Sequence, residues 1–235
     1  HNTIASCDEW FQLEVRHLVS SFLTWHVKAN GASVTSEQFT ASDTAYRALR
    51  QEIHIHGNEQ TAEQCVTTVL AEIGVSVPPE AILEGVHVLM RETEHHAAPM
   101  EGAIETVTLL AIHGVRLGIV SSAVYHPFLE WTLDRFGIRE AFSTVVTSAS
   151  SGFYKSRPEI YHAAANALAV AADDVVHVGD SLRFDVGGAQ RAGMRTVLVS
   201  KKAIGPVEGE PVPNLVVSSL TGAAPAILGL LASSR

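Results

Sequence analysis

Residues 175–185 read Val-Val-His-Val-Gly-Asp-Ser-Leu-Arg-Phe-Asp: a short β-branched run over 175–178, a glycine, and then two carboxylates, Asp180 and Asp185, on the turn that follows. Outward from this stretch, apolar runs at 117–120, 144–146, 196–199 and 215–217 read as further strands. Helical periodicity fills the intervals at 102–113, 127–136, 158–168 and 185–192. Gly114, Gly137 and Gly193 follow three of these helices, where a left-handed cap favours glycine. Val/Ile/Leu strands alternating with helices imply an α/β fold, a parallel sheet covered on both faces.

The region before Pro99 has a different pattern. It reads as successive amphipathic helices at 8–29, 36–56, 59–73 and 79–96, the first carrying Phe11, Val15, Leu18, Val19 and Phe22 at helical spacing. Charge divides the chain at the same place: residues 8–98 hold 13 acids and 5 bases, residues 99–235 hold 12 acids and 11 bases, and the whole carries −9. Such a balance argues against nucleic-acid binding, which needs clustered Lys and Arg. No apolar run approaches the ~18 residues of a membrane span. Two cysteines, Cys7 and Cys65, make no disulfide framework, and a reducing, cytoplasmic setting is expected.

Polar groups follow the strands. Ser121 and Ser122 come after 117–120, Lys155 lies beyond 144–146, and Asp180 and Asp185 follow 175–178. In an open parallel sheet, ligands bind outside the carboxyl ends of the strands. Each residue alone has a plainer reading: Ser121, Ser122 or Asp180 as a helix cap, Lys155 as a solvated lysine, Asp185 as a first-turn acid. Taken together they suit phosphoryl transfer, with the carboxylates as hard ligands for Mg²⁺, Lys155 as a point charge and the serines as donors.

The run 179–185, the lysine stretch Gly-Phe-Tyr-Lys-Ser-Arg-Pro-Glu-Ile-Tyr at 152–161, and the strand 117–122 ending in serine resemble three motifs of the haloacid dehalogenase superfamily. The resemblance covers residues 99–200 closely. It implies a Rossmann-like, doubly wound core (1–10 and 99–235) with an inserted α-helical cap (11–98) that closes over the site and selects the substrate. It also implies Mg²⁺ held by Asp180, Asp185 and the backbone carbonyl of His1. On the family's register, His1-Asn2-Thr3 aligns with the last three positions of the first motif. The nucleophilic aspartate is then expected two positions before His1, on a central strand that precedes it. His1 stands where the family has an acid/base Asp, and a weaker acid/base role is expected of it. Asn2 replaces a glycine, and Asn tolerates left-handed angles.

The function implied is a Mg²⁺-dependent phosphatase acting on a small phosphorylated metabolite through an aspartyl-phosphate. Other chemistries on the scaffold are a metal-free dehalogenase, which Asp180 and Asp185 speak against, and a phosphonate hydrolase, for which Lys28 is the cap's only lysine. A non-catalytic binding module is the remaining alternative. Trp10, His17, Trp25, His54, His56, His95 and His96 read as core or solvated cap residues rather than ligands. Arg157 reads as the partner of a helix acid near Glu159, and Arg183 as a brace of its loop or a contact for an anionic substrate.

Overall fold

The computed structural model describes residues 2–202 and 208–233 of the chain. A strand of two residues, β1 (Ala5–Ser6), leads into the helices α1 (Asp8–Gln12), α2 (Leu18–Asn30), α3 (Ser36–His56), α4 (Ala62–Glu72) and α5 (Pro79–Glu94). The chain leaves this helical layer through β2 (Ala98–Pro99), which pairs antiparallel with β1, so entry and exit share one ribbon. The remainder runs α6 (Ala103–Ile112), β3 (Leu117–Ser121), α7 (His126–Arg135), β4 (Phe142–Thr147), α8 (Ser148–Ser151), α9 (Glu159–Ala167) and β5 (Val176–Gly179). It ends with α10 (Gly187–Arg191), β6 (Arg195–Val199), β7 (Leu215–Val217) and α11 (Ala224–Ala232).

The five longer strands are all parallel, in two blocks: β3 pairs with β4, and β5–β6–β7 form a row. Among the described residues β3 and β5 are each paired along one edge only. Side chains alternate between faces with the period of two that strands impose. Val120, Val146 and Val175 pack with Tyr161 and Ala164 of α9 and Ala189 of α10. On the other face Val176, Val178 and Val197 meet Leu110 of α6 and Ile227 of α11, while Ile119 and Val145 meet Val107 and Leu133. The result is the Rossmann-like α/β core expected from the sequence. Gly114, Gly137 and Gly193 have φ of 73°, 69° and 84°, as helix-terminating glycines require.

Helix boundaries differ from the sequence reading in several places: the helix expected at 185–192 starts as a π turn over Leu182–Val186, and the one expected to reach 96 ends at Glu94. The expected helix at 8–29 widens into a π turn over Leu13–His17, which carries Glu14 inward. The helix expected from 59 begins at Ala62, because Thr61 and Gln64 form a reciprocal capping box there. Residues 57–62 are spent on the α/β core instead: Glu59 N donates to Gly152 O, Tyr154 N to Gly57 O, and Ala62 N to Val124 O, each at 2.9 Å. Asn58 and Phe153 form an isolated antiparallel bridge in the same seam.

The apolar interior of the helical layer is built on Leu18, Val19, Phe22, Leu23, Tyr46, Val66 and Met90, and it continues into Val124, Phe128 and Tyr154 of the α/β core. None of the described helices is long and apolar enough to cross a membrane. Phe22 is fully buried, and large-to-small changes at such sites cost about 3–5 kcal/mol. Urea denaturation of Phe22→Ala is therefore expected to show a loss of that size at unchanged m-value.

Candidate functional site

Asp185 is 3% exposed and three donors converge on it. Its Oδ1 accepts from Lys155 Nζ at 2.6 Å and from His177 Nε2 at 3.1 Å, and its Oδ2 accepts from the Ser181 backbone N–H at 2.9 Å. The approach is close because residue 179 is glycine: a Cβ there would lie 2.2 Å from Asp185 Cγ. Burial by itself would raise the carboxyl pKa, but Lys155 and His177 hold it well below the usual carboxylate range. The turn closes on itself, with Asp185 N donating to Ser181 O and Phe184 N to Ser181 Oγ.

Asp180, one residue before Ser181, is half-buried at the carboxyl end of β5, and its Oδ1 accepts from Thr3 Oγ1 at 2.9 Å. The segment from Thr3 onward runs toward β3, since Ala5, Ser6 and Cys7 line a small cavity of about 30 Å³ together with Ser121. Ser121 ends β3, opposite Thr147. Ser122 sits against the buried Tyr154, whose hydroxyl pKa burial pushes up to about 12. Tyr154 immediately precedes Lys155, whose side chain is 15% exposed. Lys155 thus joins Asp185 directly, and reaches Asp180 through Asp185 and the Ser181 backbone. Ser122 comes in through Tyr154, and Ser121 through the segment that also anchors Asp180. His1 lies outside the described residues; Asn2 has φ 64°, the left-handed conformation its residue type tolerates.

The other residues weighed from the sequence have ordinary partners. Trp10 stacks on Phe128, His54 packs against Tyr154, and Arg183 lies over the Phe184 ring. His17 meets Asp43, His56 meets Glu52, His95 meets Glu94 and His96 meets Glu9. Arg157 pairs with Glu159.

Sequence reasoning missed two features. His177 was passed over inside an apolar strand, although it shares the strand face of Val175 and was the one polar residue there. A second polar cluster lies in the helical layer. Arg50 is buried and bonds Glu59 at 2.6 Å, with Glu14 at 3.8 Å. Glu14 recurs three residues after Phe11 and four before Leu18, a spacing that puts it on the apolar face. Burial raises its pKa to about 8; Arg50 opposes that rise and Glu59 adds to it.

Comparison with known proteins identifies the family and the fold. Residues 30–199 match the family model described as haloacid dehalogenase-like hydrolase. The chain is 31% identical over 163 residues to glyceraldehyde 3-phosphate phosphatase of Methanopyrus kandleri, covering 68% of each chain. It is 34% identical over 116 residues to haloacid dehalogenase-like hydrolase domain-containing protein 3 of Bos taurus, covering 49% of this chain and 45% of that one. Among solved structures, 2-haloacid dehalogenase from Pseudomonas syringae superposes with a TM-score of 0.71 at 19% identity, covering 98% of this chain and 95% of that one. A HAD phosphatase from Thermococcus onnurineus gives 0.61 at 19% identity, with coverages of 97% and 94%. The chain belongs to the haloacid dehalogenase-like hydrolase family.

The raised pKa of Glu14 makes folding pH-dependent with a definite sign. The unfolded chain releases this proton near the ordinary carboxyl value of ~4.3, the folded chain only near about 8. Stability is therefore lost as pH rises through that window. Glu14→Gln removes the titration. Its melting temperature is expected to match wild type near pH 4.5, to exceed it increasingly up to about pH 8, and to keep a constant lead above.

Proposed function

We propose that the chain is a Mg²⁺-dependent phosphatase for a small phosphorylated metabolite. The observation that carries this reading is the buried Lys155–Asp185 pair, tied through the Ser181 amide to the turn that bears Asp180. An ammonium and a metal-type carboxylate are thereby held at one end of the sheet, where an open α/β sheet binds ligands. The name of the Methanopyrus kandleri relative, a phosphatase covered to two thirds, supports the same chemistry.

The donor set fits Mg²⁺. Among the described residues no group of three or more His, Cys, Asp or Glu forms a cage, and Mg²⁺ characteristically takes one or two protein carboxylates and completes its shell with waters and substrate phosphate. In this reading Asp180, with one oxygen on Thr3, holds the cation. Asp185 already accepts three hydrogen bonds from the protein and serves chiefly to fix Lys155. The cation, when bound, neutralises charge on the phosphoryl oxygens.

Lys155 has one N–H on Asp185 and directs its charge at a phosphate oxygen, while Ser121 and Ser122 supply hydroxyl donors from the end of β3. These contacts strengthen as charge spreads over the transferring group. The nucleophile in this reading is the aspartate expected two positions ahead of His1. His1 takes the acid/base role, and α1–α5 act as the cap that excludes water. Lys28 is exposed on the last turn of α2, a poor place for a Schiff base.

A panel of small phosphate esters assayed with and without Mg²⁺ tests the proposal. Turnover is expected to fall at least ~100-fold on chelation and in Asp180→Asn, and ~10²–10³-fold in Lys155→Ala. Hydrolysis that persists unchanged in chelator and in Asp180→Asn would overturn it.

A further inference from the structure

We infer that His177 is a positioning residue for the phosphate-binding ammonium: its Nε2–H, donated to Asp185 Oδ1, orients the carboxylate that holds both Lys155 and the Asp180 turn. This rests on the phosphatase reading for its catalytic consequence. The geometry stands independently of it. Asp185 has two anchors besides the lysine, and they grip different oxygens: the Ser181 amide takes Oδ2 at 2.9 Å, and His177 takes Oδ1 at 3.1 Å. Without His177, Oδ1 is held only by the flexible lysine that it is to orient. With His177 in place Oδ1 is set independently of the lysine, and Lys155 at 2.6 Å occupies its remaining lone pair.

The histidine is itself held. Its ring meets Tyr161 edge-on, centroids 5.1 Å apart and planes at 90°. The Tyr161 hydroxyl donates to Phe184 O at 2.7 Å, which fixes the residue before Asp185. Gly188 leaves room for this contact: a Cβ there would lie 2.6 Å from both the Tyr161 hydroxyl oxygen and Lys155 O. Tyr161, His177 and Asp185 therefore form a path from the face of α9 to the ammonium. A leucine at 177 would preserve the packing against Tyr161 and remove the donor. Glutamine would keep a side-chain N–H of comparable reach.

The test compares His177→Leu and His177→Gln with wild type by kinetics on the phosphate ester turned over best, by melting temperature, and by crystal structure. Loss of an outer-shell orienting bond costs about 10–100-fold. That drop in kcat/KM is expected for His177→Leu with the protein still folded at the assay temperature, and recovery to within a few-fold for His177→Gln. In the crystal, the leucine variant is expected to show the Asp185 carboxylate rotated and its contact with Lys155 or Ser181 broken, and the glutamine variant to keep both. Full activity in His177→Leu, equal losses in the two variants, or an unmoved Asp185–Lys155–Ser181 geometry in the leucine structure would overturn the inference. Should the wild-type enzyme hydrolyse no phosphate ester, the proposed function fails, while the crystal structures still decide the role of His177.

Discussion

A lysine ammonium and an aspartate carboxylate, withdrawn from water together at the end of β5, set the terms for everything around them. Removing two charges from solvent is repaid only when the remaining lone pairs and protons find partners. Here the carboxylate receives hydrogen bonds from the Ser181 amide and His177, and Lys155 together with His177 strongly disfavours its acid form. Breaking such a pair from one side leaves an uncompensated charge, typically about 3–5 kcal/mol in the wrong direction. The same arrangement constrains the sequence nearby. Glycine is required at 179 because any side chain would occupy the space of the carboxylate.

The helical layer solves a related problem in a different way. Arg50 is enclosed among Glu59, Glu14 and the hydroxyl end of Tyr46, with a bond to only one of the two acids. Burial opposes its charge and Glu59 restores it. The surplus acid, Glu14, therefore holds its proton more tightly than an exposed carboxyl does. Glu14 enters this interior from within the π turn at Leu13–His17.

Most of the architecture was legible from periodicity. The five parallel strands and the helices between them follow from β-branched runs alternating with amphipathic stretches, and the three capping glycines have the expected angles. The boundaries at 13–17 and 59–61 were less visible, because they are set by a buried acid and by a capping box that competes with tertiary hydrogen bonds. At the candidate site, the positions of Lys155, Asp180 and Asp185 after strands were legible in the sequence. Which of the two aspartates is buried was not, since spacing places both on one turn but cannot tell which faces inward. His177 escaped because one polar residue in a strand looks like a tolerated exception until its hydrogen bond is seen. Glu14 left a trace in the helical wheel, where an acid occupies the apolar stripe.

The seam between residues 57–62 and the loops at 124 and 152–154 ties the helical layer to the α/β core. Its three main-chain bonds, Glu59 to Gly152, Tyr154 to Gly57 and Ala62 to Val124, must all part before the helices can lift from the lysine loop. Each contributes about 1 kcal/mol net, and the apolar cluster that the helices share with Val124, Phe128 and Tyr154 adds to them. Residues 57–62 are therefore coupled by backbone to Tyr154, the chain neighbour of Lys155, without touching the ammonium themselves.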